Sequence, residues 1–231
     1  MCGRFIQTVD PERIRLILPD LEIEEAALTS FRPRYNVAPS QNILVVLNTP
    51  RPLAAFARWG LIPRWSRERP KQGGLINARA ETLARKPSFR DPYLFRRCLV
   101  FADGFYEWDK DSRPRTPHLV RLKTSEPFAM AALWDTWADP STGAPIRSCA
   151  IVTTRANRVV GAIHDRMPAI LDPAAFRLWL SPSAKAPRDL EAVLAPFPDD
   201  LMETFPVSPR VNDPSWDTAS CMEPTAPGAV I

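Results

Sequence analysis

Proline recurs 26 times in this 231-residue chain, against only 8 glycines. Each proline fixes φ and removes a backbone donor, so such a chain favours short helices, stiff connections and edge strands over long helical bundles. The apolar share of 45% fills a core of ordinary size. No repeat of fixed period appears and no linker separates two cores, so residues 1–231 are read as a single domain with a loose tail from about 222.

The centre is dense in strand signals. Ile43 to Leu47 and Leu53 to Trp59 are apolar runs separated by Asn48-Thr-Pro-Arg, which predicts a hairpin. Further strands are predicted at Gly3 to Gln7, Leu75 to Arg79, Cys98 to Ala102, Phe105 to Trp108, His118 to Leu122, Phe128 to Trp134 and Cys149 to Thr153. Asp10-Pro11 predicts an N-cap with proline at the first helical position, opening a helix to about Leu18. Short helices are predicted at Glu81 to Lys86, Ser88 to Phe95, Arg155 to Gly161 and Pro173 to Leu180, the last capped by Asp172. Residues 19 to 42 and 60 to 74 are predicted to be irregular. The expected class is α+β, a bent, mostly antiparallel sheet or open barrel with short peripheral helices.

The formal charge of +4 is modest but unevenly spread. From Arg51 to Arg97 there are 12 Lys or Arg and 3 acids, whereas Asp189 to Ile231 holds one Arg and 8 acids. The basic stretch is interleaved with Trp59, Trp65, Phe89, Tyr93 and Phe95, a composition that suits a phosphate backbone and unstacked bases. A solvated Arg-rich face is the other reading of the same charge. The four cysteines, at 2, 98, 149 and 221, have no metal-ligand spacing, and there are two histidines, so no metal site and no cofactor is expected. Cys98 and Cys149 lie in apolar runs and read as buried thiols of a reducing compartment. No leader and no membrane-spanning apolar stretch is evident, which predicts a cytoplasmic protein, monomeric by default.

Position 2 carries the sharpest chemistry. A small second residue permits removal of Met1, after which Cys2 presents an α-amine beside its thiol. An amine alone gives an aldehyde a hydrolysable imine, and a thiol alone adds reversibly; together they close a five-membered thiazolidine. Ordinary pKa values near 7.7–8.0 and about 8.5 leave each group partly nucleophilic at neutral pH. An accidental Cys after the initiator is the alternative.

Six segments narrow that choice: Met1-Cys2-Gly3-Arg4-Phe5, Arg34-Tyr-Asn-Val-Ala-Pro39, Trp59-Gly-Leu-Ile-Pro-Arg-Trp65, Asn77-Ala-Arg-Ala-Glu-Thr82, Ala102-Asp-Gly-Phe-Tyr-Glu-Trp108 and His164-Asp-Arg-Met-Pro168. In this order and over nearly the whole chain they resemble the SRAP (SOS-response-associated peptidase) family.

That resemblance implies an abasic-site DNA–protein cross-linking protein with Cys2, Asn77, Glu107 and His164 as its catalytic group. Asn77 would orient the reactants, an amide doing so without adding charge. Glu107, isolated among aromatics, would carry protons at a raised pKa, or else pair with an arginine. His164 would shuttle protons near pH 7, on a strand face shared with Arg166. Arg4, Arg79 and Arg166 would hold phosphates, and Pro39 and Trp65 would stack or wedge against flanking bases. Glu81 reads as a cap or a partner for a neighbouring arginine, His118 as structural, and Trp59 as core. The block Val207-Ser-Pro-Arg-Val-Asn212 is assigned no chemistry.

The expected partner is single-stranded DNA carrying an abasic site, which implies association with the nucleoid and a role in the DNA damage response. Two other functions stay open. One is a cysteine peptidase that removes Met1 with His164 as base; the other is a non-covalent single-strand-binding module in which Cys2 is incidental.

Overall fold

The computed structural model describes residues 2–70, 73–183 and 187–225. In chain order its strands are β1 (Phe5–Gln7), β2 (Glu22–Ile23), β3 (Arg34–Val37), β4 (Asn42–Leu47), β5 (Leu53–Trp59), β6 (Asn77–Arg79) and β7 (Arg97–Ala102). There follow β8 (Gly104–Trp108), β9 (Pro117–Leu122), β10 (Phe128–Ala138), β11 (Pro145–Arg155), β12 (Arg166–Pro168), β13 (Ile170–Leu171) and β14 (Met202–Pro206). Six short helices accompany them: α1 (Pro11–Ile17), α2 (Glu25–Ser30), α3 (Pro87–Phe95), α4 (Arg158–Gly161), α5 (Phe176–Trp179) and α6 (Pro187–Ala192).

Strands β11, β10, β7, β4 and β5 pair antiparallel in that order. Parallel pairs Arg58–Ser148 and Trp59–Cys149 then join β5 back to β11. The expected open barrel is therefore a closed one of five strands, which leaves it few exposed edges. A second antiparallel sheet runs β14-β9-β8-β1-β3.

The two-residue period of a strand sorts the barrel side chains into two cores. One set, including Ile43, Val45, Ala57, Trp59, Cys98, Val100, Met130, Ala132, Cys149 and Ile151, packs with Cys2, Phe5 and Phe105. The alternating set, including Leu44, Val46, Leu99, Phe101, Ala131, Leu133 and Val152, packs under helical Ile14, Phe89, Tyr93, Phe176 and Trp179. The second set thus faces outward beneath the helices, and the first fills the lumen. A five-strand lumen is narrow, which is why several of its positions are Ala or Cys rather than Leu.

Several expectations hold residue by residue. Asp10 accepts a hydrogen bond from the Arg13 N–H at 2.8 Å and Pro11 opens α1. Asp172 likewise caps the 3-10 turn Pro173–Ala175. Trp59, Cys98 and Cys149 are fully buried. Other expectations need correction. Residues 19 to 42 contain β2, α2 and β3, and β10 and β11 run well past the predicted strands. The segment after Arg79 is a 3-10 turn, Ala80–Thr82, rather than a helix to Lys86. In the tail, Pro224 bridges Val207 and the Thr225 N–H donates to Pro206 O, so residues 222–225 are docked. The rest of the predicted tail lies outside the described residues.

Among the described residues no helix is long and apolar enough to cross a membrane. No group of three His, Cys, Asp or Glu there could hold a metal ion.

Candidate active site

Cys2 sits just ahead of β1, fully buried against the lumen core. Strand β6 lies parallel to β11, with Asn77 opposite Ile151, and this places Asn77 beside the start of the chain. Its Nδ2 donates to the Cys2 carbonyl at 2.8 Å, 75 residues away in sequence. The amide therefore fixes the main chain at position 2 and leaves the side chain to the chemistry.

Strand β8, paired to β1 at Phe105–Phe5, carries Glu107 to the same place. Glu107 is 2% exposed. Burial raises its pKa above the ordinary carboxylate range, and the neighbouring His164 imidazole partly opposes the shift. Burial also raises the Cys2 thiol, and the Glu107 charge adds to the effect. The Arg4 N–H, bonded to the sulfur, pulls weakly the other way. The resting sulfur is accordingly a thiol.

His164 lies in the loop between α4 and β12, not on a strand. The Arg166 N–H donates to its Nδ1 at 3.0 Å, while the Asp165 carboxylate approaches the same nitrogen at 3.1 Å. A fixed backbone donor outweighs a carboxylate that is 78% exposed and can turn to water. In its neutral form the ring is thus held with Nδ1 as acceptor and its proton on Nε2.

The three arginines predicted to meet phosphate differ in what already holds them. Arg79, on the exposed face of β6, has no side-chain partner among the described residues. Arg166 is buried, and its fork closes on Glu81 at 2.6 and 3.0 Å and on the Thr153 carbonyl at 2.5 Å. Glu81 is held below its usual pKa chiefly by that bond, so it is the arginine partner the sequence suggested. Arg4 donates to Asn36 Oδ1 at 2.8 Å and Val211 O at 2.6 Å and lies 5.9 Å from the Trp108 ring centre. The segment Val207 to Asn212, given no chemistry in sequence, is what anchors Arg4. The fork of Arg166 is therefore engaged within the protein, whereas Arg4 is anchored mainly through Nη1, its Nη2 making only a 3.5 Å bond to Asn212 O.

Trp65 is 62% exposed, an indole available for stacking. Its loop is pinned by the Trp137 indole N–H to Ser66 O at 2.7 Å and by Arg64 to Asp135 at 3.0 Å. Pro39 forms a turn with Ser40, whose φ is +75°, a left-handed conformation. Asp135 is a residue the sequence reading does not use. It lies between Trp134 and Trp137 and carries the same signal as Glu107, a lone carboxylate in an aromatic strand.

The raised Glu107 pKa makes a prediction about stability. The folded protein holds that proton to higher pH than the unfolded chain, so stability falls as pH rises from about 4 through the raised value. Glu107→Gln removes the cost. Its melting temperature, measured against the parent, should gain steadily as pH rises through that window; a constant difference would refute the assignment.

The closed five-strand barrel, its edge strand β6, the second sheet and the loop before β12 bring buried Cys2 and Glu107 together with half-buried Asn77 and His164, an arrangement built around residue 2. The chain belongs to the SOS response associated peptidase (SRAP) family, whose model matches residues 1–214. Its relatives include the abasic site processing protein YoqW of Bacillus subtilis, 40% identical across 96% of this chain and 99% of that one. Another is the abasic site processing protein YedK of Escherichia coli, 31% identical over 97% and 100%. Among solved structures, a protein from Bacteroides thetaiotaomicron shares the fold with a TM-score of 0.85 at 24% identity, covering 97% of this chain and all of its own.

Proposed function

We propose that this chain, once Met1 is removed, traps abasic sites in single-stranded DNA as a covalent thiazolidine at Cys2. The observation that carries the reading is the Asn77 amide on the Cys2 carbonyl, which holds the main chain of residue 2 beside Glu107 and His164. The names of the relatives, abasic site processing proteins, support the same substrate.

The Cys2 amine adds to C1′ of the ring-opened sugar, breaking the carbonyl π bond and giving a carbinolamine. Glu107 takes the protons that nitrogen sheds and returns them to the C1′ oxygen, first to make the hydroxyl and then the departing water, while the His164 Nε2–H donates a hydrogen bond to that oxygen; the imine forms as water leaves. The thiol sulfur then bonds to the imine carbon while its proton passes to the ring nitrogen. Aldehyde and aminothiol thus become thiazolidine and one water. A buried, protonated sulfur suits this closing step on a strong electrophile better than it suits peptide cleavage, which wants a preformed thiolate. Exposed Arg79 and Trp65 supply phosphate and base contacts. Arg4, anchored through Nη1, and Arg166, its fork closed on Glu81, keep positive charge beside the site.

Intact mass spectrometry after reaction with an oligonucleotide bearing one abasic site tests the scheme. The expected adduct lacks Met1, maps to Cys2 and equals protein plus DNA minus one water. A chain with extra residues ahead of Cys2 should form none. An adduct that retains Met1, or that maps elsewhere, refutes the proposal.

A further inference from the structure

The basic stretch between Arg51 and Arg97 holds more cations than the candidate site uses. Two of them, Arg58 and Arg69, line a groove on the outer face of the barrel with Asn42, Phe56, Thr136 and Arg147. Arg58 faces outward because its neighbours Ala57 and Trp59 point into the lumen. Arg147 is neutralised by Glu24 through two bonds of 2.9 and 3.1 Å. Arg58 and Arg69 have no such partner. Among the described residues neither has a carboxylate within ion-pair distance, although Asp139 feels the charge of Arg69.

Arg58 is the more telling of the two. Among the described residues its Nε is buried without a hydrogen-bond partner, and its guanidinium makes one bond, a 3.5 Å reach to the Gly73 carbonyl. Burial, and then the charge of Arg69, both lower its pKa. Two guanidiniums facing one groove repel each other, and a buried N–H left unmade is costly. The fold gains nothing visible from the arrangement, whereas an anion in the groove would relieve both costs.

The groove is linked to the candidate site through the fold. The Ser40 N–H donates to Trp59 O at 2.8 Å, which sets the Pro39–Ser40 turn beside the end of β5. The Trp59 indole donates to Ile76 O at 3.0 Å, one residue before Asn77. From Cys2 through Asn77 and Trp59 to Arg58 the contacts are continuous.

We propose that the Arg58–Arg69 groove binds phosphodiesters of the single strand that flanks the lesion. This rests on the reading of the chain as a single-strand binder, but not on its covalent chemistry.

Anisotropy titrations with undamaged oligothymidylate ask nothing of Cys2 and so test the groove separately. With a strand of about 16 nucleotides, Arg58→Gln/Arg69→Gln should bind about tenfold more weakly at low salt. The slope of log K against log salt should flatten by about 1.4, two phosphates at about 0.7 each. A strand of about 4 nucleotides should bind as it does to the parent. The charge-keeping Arg58→Lys/Arg69→Lys variant should restore the slope, which separates loss of contact from loss of fold. An unchanged slope in the Gln variant, an equal loss on the short strand, no rescue by Lys, or a parent that binds no DNA overturns the proposal. If the parent forms no Cys2 adduct yet the slopes move as stated, the groove stands and the covalent reading fails.

Discussion

Cys2→Ala should abolish the heat-stable DNA adduct, taking it below detection, while an imine that borohydride can trap remains. The variant still begins with an α-amine after removal of Met1. Asn77 grips the carbonyl of residue 2, not its side chain, so the amine stays where it was. On the proposed scheme Glu107 and His164 still handle protons. What is lost is the sulfur that closes the ring, and the imine left behind hydrolyses or promotes β-elimination of the DNA strand. A denaturing gel run with and without borohydride distinguishes the outcomes. Undiminished heat-stable adduct in the alanine variant would remove the thiol from the mechanism, and no trappable species would point to a structural effect at position 2.

Asp135→Ala should cost about 3–5 kcal/mol, the usual penalty for stranding a buried charge. Asp135 is 2% exposed and lies on β10. It receives the Arg64 N–H at 3.1 Å and ion pairs from Arg96 at 3.1 Å and Arg64 at 3.0 Å. The two arginines contribute unequally. The Arg64 side chain is 53% exposed and water can replace its partner, so its share is small. The Arg96 side chain is 13% exposed, and burial already lowers its pKa, with Asp135 opposing the shift. Urea denaturation should show the loss in full for Ala and in part for Asn, which keeps the hydrogen bonds without the charge. A change below about 1 kcal/mol for Ala would show that Arg96 finds other compensation. Since Arg64 adjoins Trp65, the same variant should loosen the loop that presents the exposed indole.

How much of this was legible in sequence depended on whether a property is local. The barrel strands are legible because both of their faces are buried, which produces apolar runs such as Ile43 to Leu47. Strands β2 and β13 span two residues each and leave no periodicity to read. Closure by β5 and β11 pairs residues 90 positions apart and has no local mark. At the site, Cys2, Asn77, Glu107 and His164 were found through motif resemblance, and the structure brings Asn77 to Cys2 and Glu107 within reach of His164. Whether an arginine is free is a different kind of question. Arg79 and Arg166 look alike as residues in a motif, yet Glu81 closes the fork of one and leaves the other open. Asp135 is as legible as Glu107, a lone carboxylate between Trp134 and Trp137.

The contacts that enclose the start of the chain come from far downstream. Asn77 reaches the carbonyl of residue 2, β3 pairs with β1 from position 34 onward, and Phe105 lies across from Phe5. During synthesis the first residues leave the ribosome long before any of these partners exists. On the proposed reading, an aminopeptidase would meet a bare, extended terminus, and the enclosure would form around an end already trimmed. Maturation would then be ordered in time by distance along the chain, and slowing excision of the initiator should yield folded protein blocked at the proposed reactive end.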